Sequence, residues 1–180
     1  MRKTLLLALA LLGTPAWAAD YVQAPGSNLT FAGTYQGEVF TGKFPGFVTA
    51  FRFDPKQLAA SKLQVVIPLA TAATSNADYD GELRGGSFFD AARFPRATYI
   101  ATTFRALGGN RYAADGTLTL RGISKPVVLE FTWTPGAAPV LSGKATVKRL
   151  AFGVGGGDWA DTALIPDAIA ISTKVVFKAK

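Results

Sequence analysis

The sequence predicts an all-β protein built on one antiparallel sheet of about eight up-and-down strands. Three observations predict it. Apolar and polar residues alternate with a period of two from Leu29 to the end of the chain, as in strands buried on one face only. Turn residues separate the alternating runs at spacings too short for the crossovers that parallel strands need. There is no cysteine among the 180 residues, so the fold rests on an apolar core and not on disulfide staples.

Residues 1–18 read as a signal peptide and 19–180 as a single β-domain. Arg2 and Lys3 form a short positive start, and Leu5 to Leu12 is an apolar run. Ala16-Trp17-Ala18 is a small-x-small signal that places cleavage between Ala18 and Ala19. The apolar run is far shorter than the roughly 20 residues that span a bilayer. The expected mature chain is therefore extracytoplasmic and free of an anchor.

The strands follow in order. Leu29 and Phe31 open the first. Phe47, Thr49, Phe51 and Phe53 share a face, with Ala50 and Arg52 on the other. Leu63, Val65, Ile67 and Leu69 repeat the pattern, as do Ile100, Thr102 and Phe104. Leu118 and Leu120 oppose Thr119 and Arg121. Leu129, Phe131 and Trp133 oppose Glu130 and Thr132. Ile169, Ile171, Thr173, Val175 and Phe177 close the chain. Gly108-Gly109-Asn110 sits between two such runs and predicts a hairpin. One or two short helices are expected between residues 76 and 91. Asn76 would cap the first, Asp78 and Asp80 would complement its dipole, and Gly85 would stop it. A further turn is expected at Pro55–Ala60. Strands apolar on one side need one enclosed space. A closed barrel provides it, and so does a β-sandwich.

Composition excludes much chemistry. With no His, a Ser-His-Asp arrangement cannot form, and zinc would lack its usual His and Cys ligands. No Ser-x-x-Lys spacing occurs. Asp158 and Asp161 flank a Trp and read as a locally tied rim loop rather than an acid–base pair. The run from Gly153 to Gly157 superficially resembles a phosphate-cradling loop. No helix pattern follows it, so it reads as a wide turn at a barrel mouth. Two of the 19 basic residues lie in the leader, so 17 stand against 12 acids, a net +5. They are scattered, which argues against nucleic acid as a partner. No catalytic residue, metal ligand or cofactor site is assigned.

The chain resembles the YceI-like family. Gly42-Lys43-Phe44, Phe51-Arg52-Phe53-Asp54, Leu83-Arg84, Phe88-Phe89-Asp90, Phe94-Pro95 and the run Gly116 to Val127 carry the resemblance through their order and spacing. It covers essentially all of residues 19–180. It implies an eight-stranded, lipocalin-like, up-and-down antiparallel barrel with an internal apolar tunnel. The implied occupant is a polyisoprenoid, either a polyprenyl phosphate or a quinone-type chain. Relatives are typically periplasmic, and some are encoded with, or fused to, membrane b-type cytochromes. The expected function is therefore non-enzymatic periplasmic carriage of such a lipid, and the alternative is an accessory protein that docks to a membrane b-type cytochrome in quinone-linked redox chemistry. Relatives often carry an Arg where Tyr79 stands, and histidines this chain lacks, so roles tied to those groups do not transfer.

Ten side chains are expected to face the tunnel: Phe31, Phe51, Val65, Ile67, Ile100, Phe104, Leu120, Leu129, Phe131 and Trp133. Arg84 and Arg149 are the candidates for a polar or phosphate head, because guanidinium matches phosphate as a fork.

Overall fold

The computed structural model describes residues 19–180; the expected leader and its cleavage point at Ala18 lie outside the described residues. Ten strands form one antiparallel sheet. They are β1 (Ala19–Gln23), β2 (Asn28–Tyr35), β3 (Glu38–Lys43), β4 (Val48–Phe53), β5 (Lys62–Pro68), β6 (Arg96–Gly108), β7 (Arg111–Leu120), β8 (Ile123–Thr134), β9 (Val140–Lys148) and β10 (Ala168–Ala179).

From β4 to β10 each strand pairs with the next in sequence, as an up-and-down barrel requires. β1 closes it, pairing with β4 on one side and with the C-terminal end of β10 on the other. Closure removes the exposed edges of a sandwich. Eight strands therefore make the barrel. The other two form the β2–β3 hairpin, which continues along β10 past the point where β1 ends. A backbone bridge between Lys43 and Ala73 ties this hairpin back to the chain after β5.

The helix α1 (Ala77–Arg84) starts as expected. The Asn76 side chain accepts from the amides of Asp78 and Tyr79, and Gly85 ends the helix. Phe88–Ala91 forms turns and no second helix. The segment after Pro55 tightens into one 3₁₀ turn at Leu58–Ala60. The β6–β7 hairpin turns at Gly108 and Gly109, both with positive φ.

One strand breaks parity. A β-bulge lies between Ala101 and Thr103, where β6 gains a residue over β7. Ahead of it Ala97, Tyr99 and Ala101 are buried; beyond it Phe104 is. The inserted residue flips which side chains face inward. Ile100 therefore points outward and is 41% exposed, which corrects its expected place in the tunnel. Tyr99 takes that place. Its ring crosses β7 over Gly116, where a Cβ would come within 2.4 Å of it. That close approach explains the glycine opening the Gly116–Val127 run.

The barrel is solid at one end. Tyr21, Phe51, Phe53, Phe104, Tyr112, Phe131, Trp133 and Phe177 interlock there, with Phe51 central: it stacks on Phe53 at 4.9 Å and meets Trp133 edge-on at 5.6 Å. Each well-oriented ring pair adds about 0.5–1.5 kcal/mol beyond area burial. Phe51→Ala should cost about 3–5 kcal/mol of unfolding free energy, measured by urea titration. A loss under 1 kcal/mol would show that the rings do not act as one cluster.

Candidate functional site

The other half of the barrel is hollow. An apolar cavity of about 180 Å³ lies between the aromatic plug and the end covered by α1, the β2–β3 hairpin and the segment 149–167. Five of the ten sequence-proposed residues line it: Phe31, Val65, Ile67, Leu120 and Leu129. Phe51, Phe104, Phe131 and Trp133 do not; they belong to the plug, and their expected place along an open tunnel is corrected accordingly. All four are inward and buried, so period-two alternation identified the face. It carries no information on whether an inward ring meets a ligand or another ring.

Other lining residues come from segments that alternation does not address. Phe44 and Phe47 lie in the loop between β3 and β4. Leu83 is the inward residue of α1. Phe88 and Phe89 come from the turn after it, and Val154 and Ile165 from the segment beyond β9. A smaller recess of about 80 Å³ lies outside the cavity, lined among others by Tyr35, Tyr79, Glu82 and Trp159. Phe40, Leu83, Phe88 and Ile165 line both spaces, so these four side chains form the partition between them.

Four polar side chains face the cavity: Thr49, Tyr99, Arg149 and Thr173. Three have partners inside the protein. The Tyr99 hydroxyl lies 2.8 Å from the Ala114 carbonyl oxygen and 3.1 Å from that of Val127, and burial pushes its phenol well above the usual range. The Thr173 hydroxyl donates to the Asn28 carbonyl at 2.8 Å. Thr49 is 2% exposed and its Oγ1 has no hydrogen-bond partner in the protein.

Arg149 has a structural role. It is 3% exposed, and its five N–H groups meet five carbonyls. Nε donates to Pro166, one terminal nitrogen to Val154 and Gly155, and the other to Trp159 and Ile165. Burial lowers its pKa from the ordinary guanidinium value, with Asp167 opposing the shift. A guanidinium carries five donors, so none remains for a phosphate. The glycine-rich run now has an explanation. Gly155 has a φ of +63°, and a Cβ there would sit 2.6 Å from the guanidinium. The carbonyls of this segment converge on a cation, the reverse of the amide nest that cradles phosphate.

Arg84 is also committed elsewhere. It donates twice to the Ala72 carbonyl, at 3.1 and 2.7 Å, and lies 3.7 Å from Asp80. It is the last residue of α1 and lies outside the cavity lining. Asp80 accepts from both the amide and the hydroxyl of Thr74, which hold its carboxyl below the ordinary value, with Arg84 adding to the effect. Asp161 accepts from the Ala163 amide in a local turn. Among the described residues no three acidic groups cluster as a metal site would require.

The sequence profile described as YceI-like domain matches residues 21–177. A "UPF0312 protein" of Yersinia pestis is 44% identical over 89 residues, 49% of this chain and 46% of the relative. The match thus spans about half the length of that curated relative. The crystal structure of Burkholderia cenocepacia BcnA superposes with a TM-score of 0.80 at 30% identity, covering 83% of this chain and 95% of that one. A domain from Saccharophagus degradans, described as polyisoprenoid binding and implicated in plant cell wall breakdown, superposes with a TM-score of 0.67 at 17% identity, covering 91% and 99%.

Two outcomes follow from this geometry. Arg149→Met strands several buried carbonyls at about 1–3 kcal/mol each, so it should cost at least about 3 kcal/mol in chemical denaturation; a smaller loss would mean that the segment 149–167 is held by other contacts. Asp80 has a lowered folded pKa, so its contribution is present above its unfolded value of 3.8 and is lost as pH falls further, through the folded value. The Thr74 amide resonance should therefore titrate below about pH 4 in the native protein and stay flat in Asp80→Asn.

Proposed function

The chain belongs to the family of YceI-like domains, and we propose that it is a periplasmic, non-enzymatic carrier of a polyisoprenoid lipid. The observation that carries this reading is the cavity itself. Its wall is hydrocarbon apart from four polar side chains, three of which are satisfied within the protein. Such a wall suits a methyl-branched chain, which offers no hydrogen bonds and asks for none. The leader-like residues 1–18 support secretion, and the solved neighbour described as a polyisoprenoid binding domain supports the ligand class.

Magnitudes favour carriage. At about 0.8 kcal/mol per buried CH₂, a 40-carbon prenyl chain gains on the order of 30 kcal/mol on leaving water. That exceeds the ceiling of roughly 18–21 kcal/mol for non-covalent affinity. Such a lipid passes between bilayer and barrel, two apolar phases of similar free energy, and a barrel of moderate affinity can both take it up and give it back. Size adds a constraint. The cavity's 180 Å³ is below the roughly 300–1,000 Å³ of ordinary ligand pockets. A long chain therefore displaces the partition of Phe40, Leu83, Phe88 and Ile165 and runs on into the outer recess.

The test is organic extraction and mass spectrometry of protein isolated from the periplasmic fraction. A prenyl lipid should co-purify in near-stoichiometric amount. Ala145 lines the cavity, so Ala145→Phe should fill space without removing a contact. It should lose most of the lipid while staying folded by circular dichroism, at a stability cost of about 1–3 kcal/mol. A lipid-free native protein, or a fully loaded Ala145→Phe, would sink the reading.

A further inference from the structure

We propose that the blind end of the cavity is a recognition niche for a hydroxyl group, formed by Thr49 and Gln23, and that the ligand sits with a neutral hydroxyl-bearing head against the aromatic plug and its tail toward the rim. This rests on the carrier reading and adds to it the class of head group and its orientation.

Two buried side-chain atoms among the described residues have no hydrogen-bond partner: Thr49 Oγ1 and Gln23 Oε1. They belong to one place. β1 and β4 pair through Tyr21 with Phe51 and Val22 with Ala50, and the next step of that register brings Gln23 opposite Thr49. Tyr21 packs on Phe51 and Trp133 in the plug, so alternation directs Gln23 to the inner face as well. Thr49 precedes Phe51 on the inward face of β4 and lines the cavity next to the plug; Gln23 is its cross-strand neighbour on the inner face, beside the cavity wall and not itself one of the lining side chains. Gln23 Nε2 donates to the Phe47 carbonyl at 3.1 Å. That bond fixes the amide so that its oxygen is the atom left over.

The chemistry of the two atoms selects the guest. Gln23 Oε1 only accepts; Thr49 Oγ1 donates or accepts. One hydroxyl satisfies both, donating to the amide oxygen while accepting from the threonine. A carbonyl head, as in an oxidised quinone ring, accepts from Thr49 and leaves Gln23 Oε1 stranded. A phosphate head brings a buried charge with no free cation among the described lining residues to meet it, since the five donors of Arg149 are spent, and an uncompensated buried charge is strongly disfavoured. The niche therefore fits an alcohol or a reduced, hydroxylated ring.

The test compares a 20-carbon prenol with the hydrocarbon of the same chain, supplied from neutral lipid vesicles, on native protein, Thr49→Val, Thr49→Ser and Gln23→Leu. The readout is each protein's affinity ratio, prenol over hydrocarbon. Ratios taken between proteins cancel the ligands' own hydration. Thr49→Val should lower the ratio about tenfold, Thr49→Ser should preserve it, and Gln23→Leu should lower it. An unchanged ratio in Thr49→Val overturns the niche and leaves the carrier reading intact. Failure of the native protein to take up either ligand overturns both.

Discussion

The ring cluster around Phe51 is the contact on which the rest of the molecule depends, because it allows half of the barrel to stay empty. A void of about 180 Å³ costs on the order of 4 kcal/mol at the coefficient measured for core cavities. Ring pairs at about 0.5–1.5 kcal/mol each offset that with only a few good contacts, and the plug holds several. The division of labour runs along each strand. Phe131 and Trp133 pack against rings near one end of β8, while Leu129, on the same face, borders the hollow.

At the opposite end a polar centre replaces the rings. The guanidinium of Arg149 gathers carbonyls from residues 154 to 166, a segment with no strand of its own. Those carbonyls would otherwise be buried without donors. With them satisfied, Val154 and Ile165 can be held against the cavity as wall. A carboxylate partner would have neutralised the charge but organised two residues; five carbonyls organise a loop. The glycines at 153, 155 and 157, all with positive φ, let the chain wrap closely around a flat cation.

How far the sequence disclosed this depends on what each feature physically is. Alternation is a local property, so strand positions, the Asn76 cap and the Gly108–Gly109 turn were legible. Parity within β6 was not, because the bulge after Ala101 depends on how β7 lies against it, and Ile100 went to the wrong side as a result. The placement of β1 between β10 and β4 is a long-range pairing that no local pattern encodes. Arg149 was singled out for its charge, yet its partners are main-chain carbonyls, which every residue carries and no sequence pattern marks. Thr49 stood in the alternating run as one more inward residue, and only the absence of a partner distinguishes it from Thr173, whose hydroxyl reaches Asn28.

A plug at one end also constrains traffic. A tunnel closed at its base has one door, so a guest leaves in the reverse order of its arrival. In the proposed orientation, with the head against Thr49 and Gln23, the tail lies nearest the partition, and it is the tail that first meets whatever apolar phase touches the rim. A prenyl tail can begin to dissolve into a bilayer while its head is still hydrogen-bonded, so no intermediate need expose the whole chain to water. The opposite orientation would bring the polar head to the bilayer surface while the tail stayed fully sheathed, and all of its apolar contact would then have to be exchanged after the head had let go. On the proposed carrier reading, the small apolar free-energy difference between barrel and membrane thus gains a direction from two hydrogen-bonding atoms at the base.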